Sequence, residues 1–161
     1  MTTLTYPSEV NPGPPTLALD VPGGWEQLAV PQTLLATREP ATPGAFSTNI
    51  VARLVQRGSA TSPTEIVGEL VDYVRTKPEG EIGRPYGVEL SGRQWTAVNL
   101  SYGDAEHGVI NQLHLFTGET RGALLSLVQV TATFAGTRED EQLAVVREAL
   151  SSLRVGRPDP A

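Results

Sequence analysis

Residues 94–134 decide the fold, and they read QWTAVNLSYGDAEHGVINQLHLFTGETRGALLSLVQVTATF. Two short segments that contain glycine divide this stretch into three long runs rich in apolar residues, at 94–102, 109–117 and 124–134. Short connections with glycine are typical of hairpins, in which consecutive strands run antiparallel. The stretch therefore predicts a three-stranded antiparallel meander, and the length of its strands places it at the centre of the domain.

Further strands are predicted before the meander, where apolar residues alternate with polar ones or are β-branched. These strands lie at 16–21, 33–37 and 49–56.

Two helices are predicted around the meander. Ser62-Pro63-Thr64-Glu65 is a capping box with proline at the first helical position, and it begins a helix that must end before Pro78. The apolar residues that follow fall on one face of this helix: Ile66, Val67, Leu70, Val71 and Val74. A second amphipathic helix is predicted over 138–152, with Thr137 as its N-cap.

Two amphipathic helices need a sheet to cover, and a sheet buried on both faces needs a helix on each. The order of elements therefore predicts an α+β fold, a central antiparallel sheet with helices packed on it as an α/β/α sandwich. A single domain is expected over 16–155. Turn-forming residues dominate 1–15 and 156–161, which are expected to be a flexible arm and a flexible tail.

Composition excludes several functions. The 161 residues include no cysteine, so disulfides, thiolate clusters and cysteine catalysis are excluded. The net charge of −6 and the scattered basic residues argue against nucleic acid and anionic membranes as partners. The first residues have neither the basic nor the apolar part of a signal peptide, and no apolar run reaches the ~20 residues that span a bilayer. A cytoplasmic protein is expected.

Three short motifs carry a resemblance to a known family. Residues 19–25 (LDVPGGW), 46–51 (FSTNIV) and 151–155 (SSLRV) resemble the actinobacterial LpqN/LpqT-type proteins, which belong to the wider PsbP-like fold group. The resemblance covers roughly residues 16–155. It implies a PsbP-like fold and a protein that works by binding other proteins, and it supplies no catalytic residues. The lipid-modified cysteine of the lipoprotein members has no counterpart here.

A segment rich in proline and glycine, Lys77 to Gly87, is predicted to be a long loop and the surface that binds a partner. Its arginine and tyrosine are residue types enriched at interface hot spots. The expected contact residues are Glu79, Glu81, Arg84 and Tyr86.

The strand residues Trp95, Gln112 and His114 are the candidate lining of a pocket between the sheet and this loop. Asp104-Ala105-Glu106-His107 is the one place where acids and a histidine crowd together, but such residues are ordinary in hairpin turns. The two histidines are seven residues apart, about 23 Å if one continuous strand holds both, a distance that excludes a shared metal. No metal and no cofactor are expected.

Catalytic signatures are missing from the sequence. It has no Gly-x-Ser-x-Gly elbow for a nucleophile and no glycine-rich cradle for phosphates. The sequence therefore favours a non-catalytic domain that binds an unidentified protein partner. The alternative is a small-molecule-binding domain or an enzyme, with its pocket between the sheet and the 77–87 loop.

Overall fold

The computed structural model describes residues 1–157 as a mixed α+β structure. In chain order its elements are β1 (Thr16–Ala18), β2 (Glu26–Gln27), β3 (Leu35–Arg38), β4 (Asn49–Gly58), α1 (Pro63–Arg75), β5 (Glu81–Ile82), β6 (Tyr86–Leu90), β7 (Arg93–Asp104), β8 (Gly108–Arg121), β9 (Leu124–Ala135), α2 (Glu139–Ser151) and β10 (Arg154–Gly156).

The predicted meander is confirmed, because β7, β8 and β9 pair antiparallel in sequence order. The two-residue turn between β8 and β9 contains Gly122 at a φ of 55°, a conformation that favours glycine. The meander lies within one eight-stranded sheet, in the order β2-β3-β4-β9-β8-β7, with β5 and β6 both paired to the outer side of β7. All its pairings are antiparallel.

Each helix covers one face of this sheet. Side chains alternate between the faces along a strand, and α1 packs Ile66, Leu70 and Val74 against the face that carries Val98 and Phe116. The opposite face packs against α2 and the segment around β1. The sheet contributes Ala97, Leu113, Leu115 and Val130 to this core, and α2 contributes Val146 and Leu150. The predicted sandwich with a helix on each side is therefore confirmed.

The capping box of α1 is also confirmed. The backbone N–H of Ser62 donates to Oε2 of Glu65 at 2.7 Å, and the N–H of Glu65 donates to Oγ of Ser62 at 3.4 Å. The predicted cap of α2 is wrong. Thr137 lies inside a short 3-10 turn, Gly136–Arg138, and Arg138 is the N-cap residue without a side-chain cap. The chain continues directly from β9 into this turn, so the helix begins later than predicted.

The first predicted strand is shorter than expected and belongs to a separate sheet. β1 ends at Ala18 and pairs with β10, Leu17 opposite Val155. Beyond it, the N–H of Asp20 donates to Oγ of Ser152 at 2.8 Å. Gly156, expected to begin the tail, ends β10. The remainder of that tail, residues 158–161, lies outside the described residues.

Within residues 1–157, neither helix has the length and apolar character needed to cross a bilayer.

Candidate functional site

The predicted loop from Lys77 to Gly87 forms an outer edge of the sheet. β5 pairs with Leu100 and Ser101 of β7, and β6 pairs with β7 from Tyr86 opposite Ala97 onward. The prediction of a loop is thus corrected, because β5 and the start of β6 lie inside it. The prolines and glycines of the segment favour the prediction of a loop. The strands form because β7, which is distant in sequence, supplies their hydrogen-bond partners. Residues 77–90 are called the edge segment below.

The residues proposed for partner binding are all exposed on the edge segment: Glu79, Glu81, Arg84 and Tyr86. Tyr86 retains 46% of its accessible surface, yet its Oη accepts a hydrogen bond of 3.2 Å from Nδ2 of Asn99. Arg84 takes part in none of the ion pairs found among residues 1–157. The segment therefore presents a fixed aromatic ring beside an arginine whose charge is not engaged by a described carboxylate.

Backbone contacts fix the edge segment to the rest of the fold. The N–H of Gly103 donates to the carbonyl of Pro78 at 2.7 Å, and the N–H of Gly83 donates to the carbonyl of Asn99 at 2.8 Å. Gly80 lies so close to the carbonyl oxygen of Val74 that a Cβ atom would collide with it. Few alternative positions are open to this segment, although much of its side-chain surface faces solvent.

A cation and two aromatic rings lie where α1 leads into the edge segment. Nζ of Lys77 lies 5.2 Å from the ring centroid of Tyr73 and 5.5 Å from that of Tyr102. Burial, with a smaller contribution from Tyr73, raises the pKa of Tyr102 to about 12. This cluster was not among the sites predicted from the sequence. The spacing of four residues between Tyr73 and Lys77 is the local signal of this cluster in the sequence. Tyr102 belongs to β7, a strand distant in sequence, so no local pattern includes it.

His114 is held in a hydrogen-bonded network on the α1 face of the sheet. Its Nε2 lies 2.9 Å from Oε1 of Gln112, and its Nδ1 lies 3.2 Å from both Nε2 of Gln129 and Oγ1 of Thr131. Burial, with the charge of Arg53 as a smaller cause, lowers its pKa to about 4. The imidazole is therefore neutral at pH 7, with Nε2–H donating to Gln112 and Nδ1 accepting. The ring is buried, and both of its nitrogens bond to side chains of the same sheet, so the network fixes the imidazole in place.

Trp95 does not share a site with His114, and the predicted pocket of three residues is corrected. His114 pairs with Val98 of β7, and Trp95, three residues before Val98, points to the other face. There it is buried in the core with α2, and its indole Nε1 has no hydrogen-bond partner among residues 1–157. Only Gln112 and His114 come together. The expected position of the 77–87 segment over the sheet is corrected too, because its strands β5 and β6 lie beside β7 within the sheet.

The acidic turn with His107 is stabilised by hydrogen bonds between its own residues. Oδ2 of Asp104 accepts from the backbone N–H groups of Glu106 and His107 and lies 2.9 Å from Nδ1 of His107. These hydrogen bonds lower the pKa of Asp104, and the one with the His107 ring is the largest cause. This is the local bonding expected of a turn. Across residues 1–157, no cluster of three or more histidine, cysteine or acidic residues could hold a metal ion.

Known proteins resemble the chain in structure but not in sequence. No family model matches it, and no curated protein matches it. LpqN of Mycobacterium tuberculosis, described as involved in cell envelope biogenesis, is similar with a TM-score of 0.69 and 16% identity over 91% of this chain and 86% of LpqN. Cyanobacterial PsbP (CyanoP) of Synechocystis is similar with a TM-score of 0.56 and 15% identity over 96% of this chain and 98% of CyanoP. The fold is PsbP-like.

A third similar structure is that of a protein whose function is unknown. PA94 of Pseudomonas aeruginosa, a protein of unknown function, matches with a TM-score of 0.58 and 14% identity over 92% of this chain and 100% of PA94. Identities this low establish a shared fold, and fold alone does not establish function.

Proposed function

We propose that this chain is a non-catalytic protein-interaction domain that binds its partner through the edge segment. The observation that carries the proposal is the state of Tyr86, a large aromatic residue that is 46% exposed while its hydroxyl is held by Asn99. A rigid aromatic side chain can bury much surface on binding and loses little conformational freedom. Neighbouring Arg84 adds a planar donor group able to bind a carboxylate or a backbone carbonyl.

The backbone of β6 supports the same surface. Within residues 1–157, β6 pairs with β7 on one side and with no strand on the other. An outer strand leaves N–H and C=O groups unpaired, and a partner can satisfy them by adding an extended segment of its own. The occupant we propose is such a segment of a second protein, running along β6 and contacting Tyr86. The acidic Glu79 and Glu81 would belong to the polar rim of the contact.

The state of the two histidines favours binding over catalysis. His114 is neutral and bonded at both ring nitrogens, and Nδ1 of His107 faces Asp104 within its own turn. Nδ1 of His114 lies 3.2 Å from the hydroxyl of Thr131, a residue type that can act as a nucleophile. Both residues are buried among the described residues, however, so this pair does not face a substrate.

The LpqN similarity supports a place near the LpqN/LpqT-type proteins. The three sequence motifs at 19–25, 46–51 and 151–155 and the PsbP-like fold both point to that group, and we propose membership in it. A cytoplasmic location remains a prediction from the sequence. The LpqN neighbour is described as involved in cell envelope biogenesis, so a role at the envelope is the competing expectation.

The proposal is tested with a double variant and a matched control. Arg84→Ala with Tyr86→Ala removes both proposed anchors, whereas Arg147→Ala with Tyr6→Ala removes the same residue types from other exposed positions. Wild type and control, immobilised and exposed to extract of the source organism, should retain a common protein that the double variant loses. With that protein purified, affinity for the double variant should fall by about 1–4 kcal/mol.

Both variants should keep a thermal midpoint close to that of the wild type, because all four side chains are exposed. A double variant that unfolds would make Tyr86 part of the core. A folded double variant that binds like the wild type would move the interface away from the edge segment.

A further inference from the structure

A cleft of about 290 Å³ opens on the α2 face of the sheet, at the end where β8 and β9 meet. The sheet supplies its floor, and β10 together with the chain before β1 supplies its walls. Pro12, Gly13 and Pro15 come from the segment before β1, and Val155 comes from β10. The cleft lies on the opposite face of the sheet from His114 and is separate from the edge segment.

Within residues 1–157, three arginines and one carboxylate line this cleft. The arginines are Arg93, Arg121 and Arg157, and the carboxylate is that of Glu119. Glu119 is already engaged, since its Oε1 lies 3.4 Å from a terminal nitrogen of Arg93. Arg121 and Arg157 take part in no ion pair between residues of the described range 1–157. The lining contributed by residues 1–157 is thus positive, in a chain whose net charge is −6.

The register of the strands produces this concentration of charge. Thr117, Glu119 and Arg121 alternate along β8, so all three project to the same face. Arg93, on the neighbouring β7, donates from Nε to Oγ1 of Thr117 at 2.9 Å, which fixes its guanidinium beside that row. Arg157 follows β10 directly, on the other side of the cleft.

The floor of the cleft combines apolar and polar side chains. Gln56 and Ser126 are polar, and Nε2 of Gln56 donates to Oγ of Ser126 at 3.3 Å, whereas an apolar patch lies beside them. Leu54 of β4 and Val128 of β9 stand opposite each other in the sheet register, and Leu124 begins β9. Val155 of β10 closes this side. An apolar patch beside guanidinium groups matches a ligand that has a hydrophobic body and an anionic head. The cleft volume is near the lower end of the range for drug-sized ligands, about 300–1,000 Å³, so the ligand is small.

We propose that this cleft binds a small amphipathic organic anion, its oxyanion head on Arg121 and Arg157 and its hydrocarbon body on the floor around Leu54 and Val128. Guanidinium groups form bidentate, charge-assisted hydrogen bonds with carboxylates and phosphates alike. Arg93 supports the site through its contacts with Thr117 and Glu119, and it pairs with the one carboxylate that residues 1–157 contribute to the lining. The site is independent of partner binding at the edge segment.

The test compares ligands with one hydrocarbon chain and different heads. Octanoate, octyl phosphate, octanol and octylammonium are titrated into the full-length protein by calorimetry, and backbone amide shifts locate the binding. We expect saturable one-to-one binding of an anion, with shifts around residues 117–128, and no saturable binding of octanol or octylammonium. Whichever of octanoate and octyl phosphate binds more tightly identifies the preferred head group of the ligand as carboxylate or phosphate.

Variants then assign the head-binding residues. Arg121→Gln and Arg157→Gln should each weaken the anion by about 10- to 100-fold, the loss of a charge-assisted hydrogen bond. Arg147→Gln, an exposed arginine on α2, is the matched control and should bind like the wild type. Equal binding of octanol, unchanged affinity in both cleft variants, or no saturable binding of either anion at millimolar concentration would overturn the proposal.

Discussion

The carboxylate of Glu39 binds the guanidinium of Arg138, 99 residues further along the chain, and Nη1 of Arg138 donates to Oε1 of Glu39 at 2.8 Å. The same Oε1 accepts the backbone N–H of Thr48 at 2.9 Å. Only 15% of the Glu39 side chain is exposed, so these bonds form away from bulk solvent. One carboxylate therefore joins the end of β3, the entry to β4 and the start of α2.

Replacing Glu39 should destabilise the fold. Glu39→Ala leaves the N–H of Thr48 and the Arg138 guanidinium without this acceptor, and we expect the free energy of unfolding to fall by about 1.5–3 kcal/mol. Glu26→Ala is the control, because its pair with Arg38 is exposed on both sides and should contribute about 0–1 kcal/mol. Urea denaturation measures both. Equal losses in the two variants would mean that the Glu39 bonds add little beyond a surface ion pair.

The capping box of α1 gives a second prediction. Ser62→Ala removes the acceptor for the N–H of Glu65 and should lower the free energy of unfolding by about 1 kcal/mol. Thr64→Ala, an exposed change in the same helical turn that removes no cap, is the control and should have a smaller effect. An unchanged denaturation midpoint for Ser62→Ala would show that the bond contributes nothing in solution.

His114 predicts a loss of stability in mild acid. Its pKa in the folded protein is about 4 against an ordinary value of 6.5, so the unfolded chain binds a proton more readily than the folded one. The stabilisation is complete above pH 6.5 and is lost as the pH falls towards 4. The difference between the two pKa values corresponds to roughly 3 kcal/mol.

Two measurements test the role of His114. The imidazole signal should titrate in NMR spectra with a midpoint near pH 4. The free energy of unfolding of His114→Gln should change less between pH 6.5 and 4 than that of the wild type. A midpoint near 6.5, or the same pH dependence in the variant, would contradict a buried neutral imidazole.

Two glycines of the edge segment predict opposite outcomes. A Cβ at Gly80 would collide with the carbonyl oxygen of Val74, a backbone atom that cannot turn aside, whereas a Cβ at Gly87 meets no atom within 4 Å. Gly80→Ala should therefore lower the free energy of unfolding by about 1–3 kcal/mol. Gly87→Ala should be neutral within about 1 kcal/mol. Equal midpoints in thermal denaturation would mean that the edge segment does not pack against α1 in solution.

The sequence by itself determined the elements whose signals are local. The capping box, the apolar stripe of α1 and the three strands of the meander each follow from the spacing of residues within one short stretch. Helical hydrogen bonds and strand alternation are encoded at those spacings, so the α+β sandwich could be predicted. The exposure of Arg84 and Tyr86 was also predictable, because no apolar periodicity draws them inward.

Only the tertiary structure decided what depends on pairing between distant residues. β5 and β6 exist because β7 offers a free edge, and β1 exists because Val155 returns beside Leu17. The face on which Trp95 and His114 lie depends on register, and a shift by one residue would exchange the faces. The cleft gathers Arg93, Arg121 and Arg157 from three strand ends. No local sequence pattern predicts that these three arginines lie close together, because loop closure and long-range packing bring the strand ends to one place.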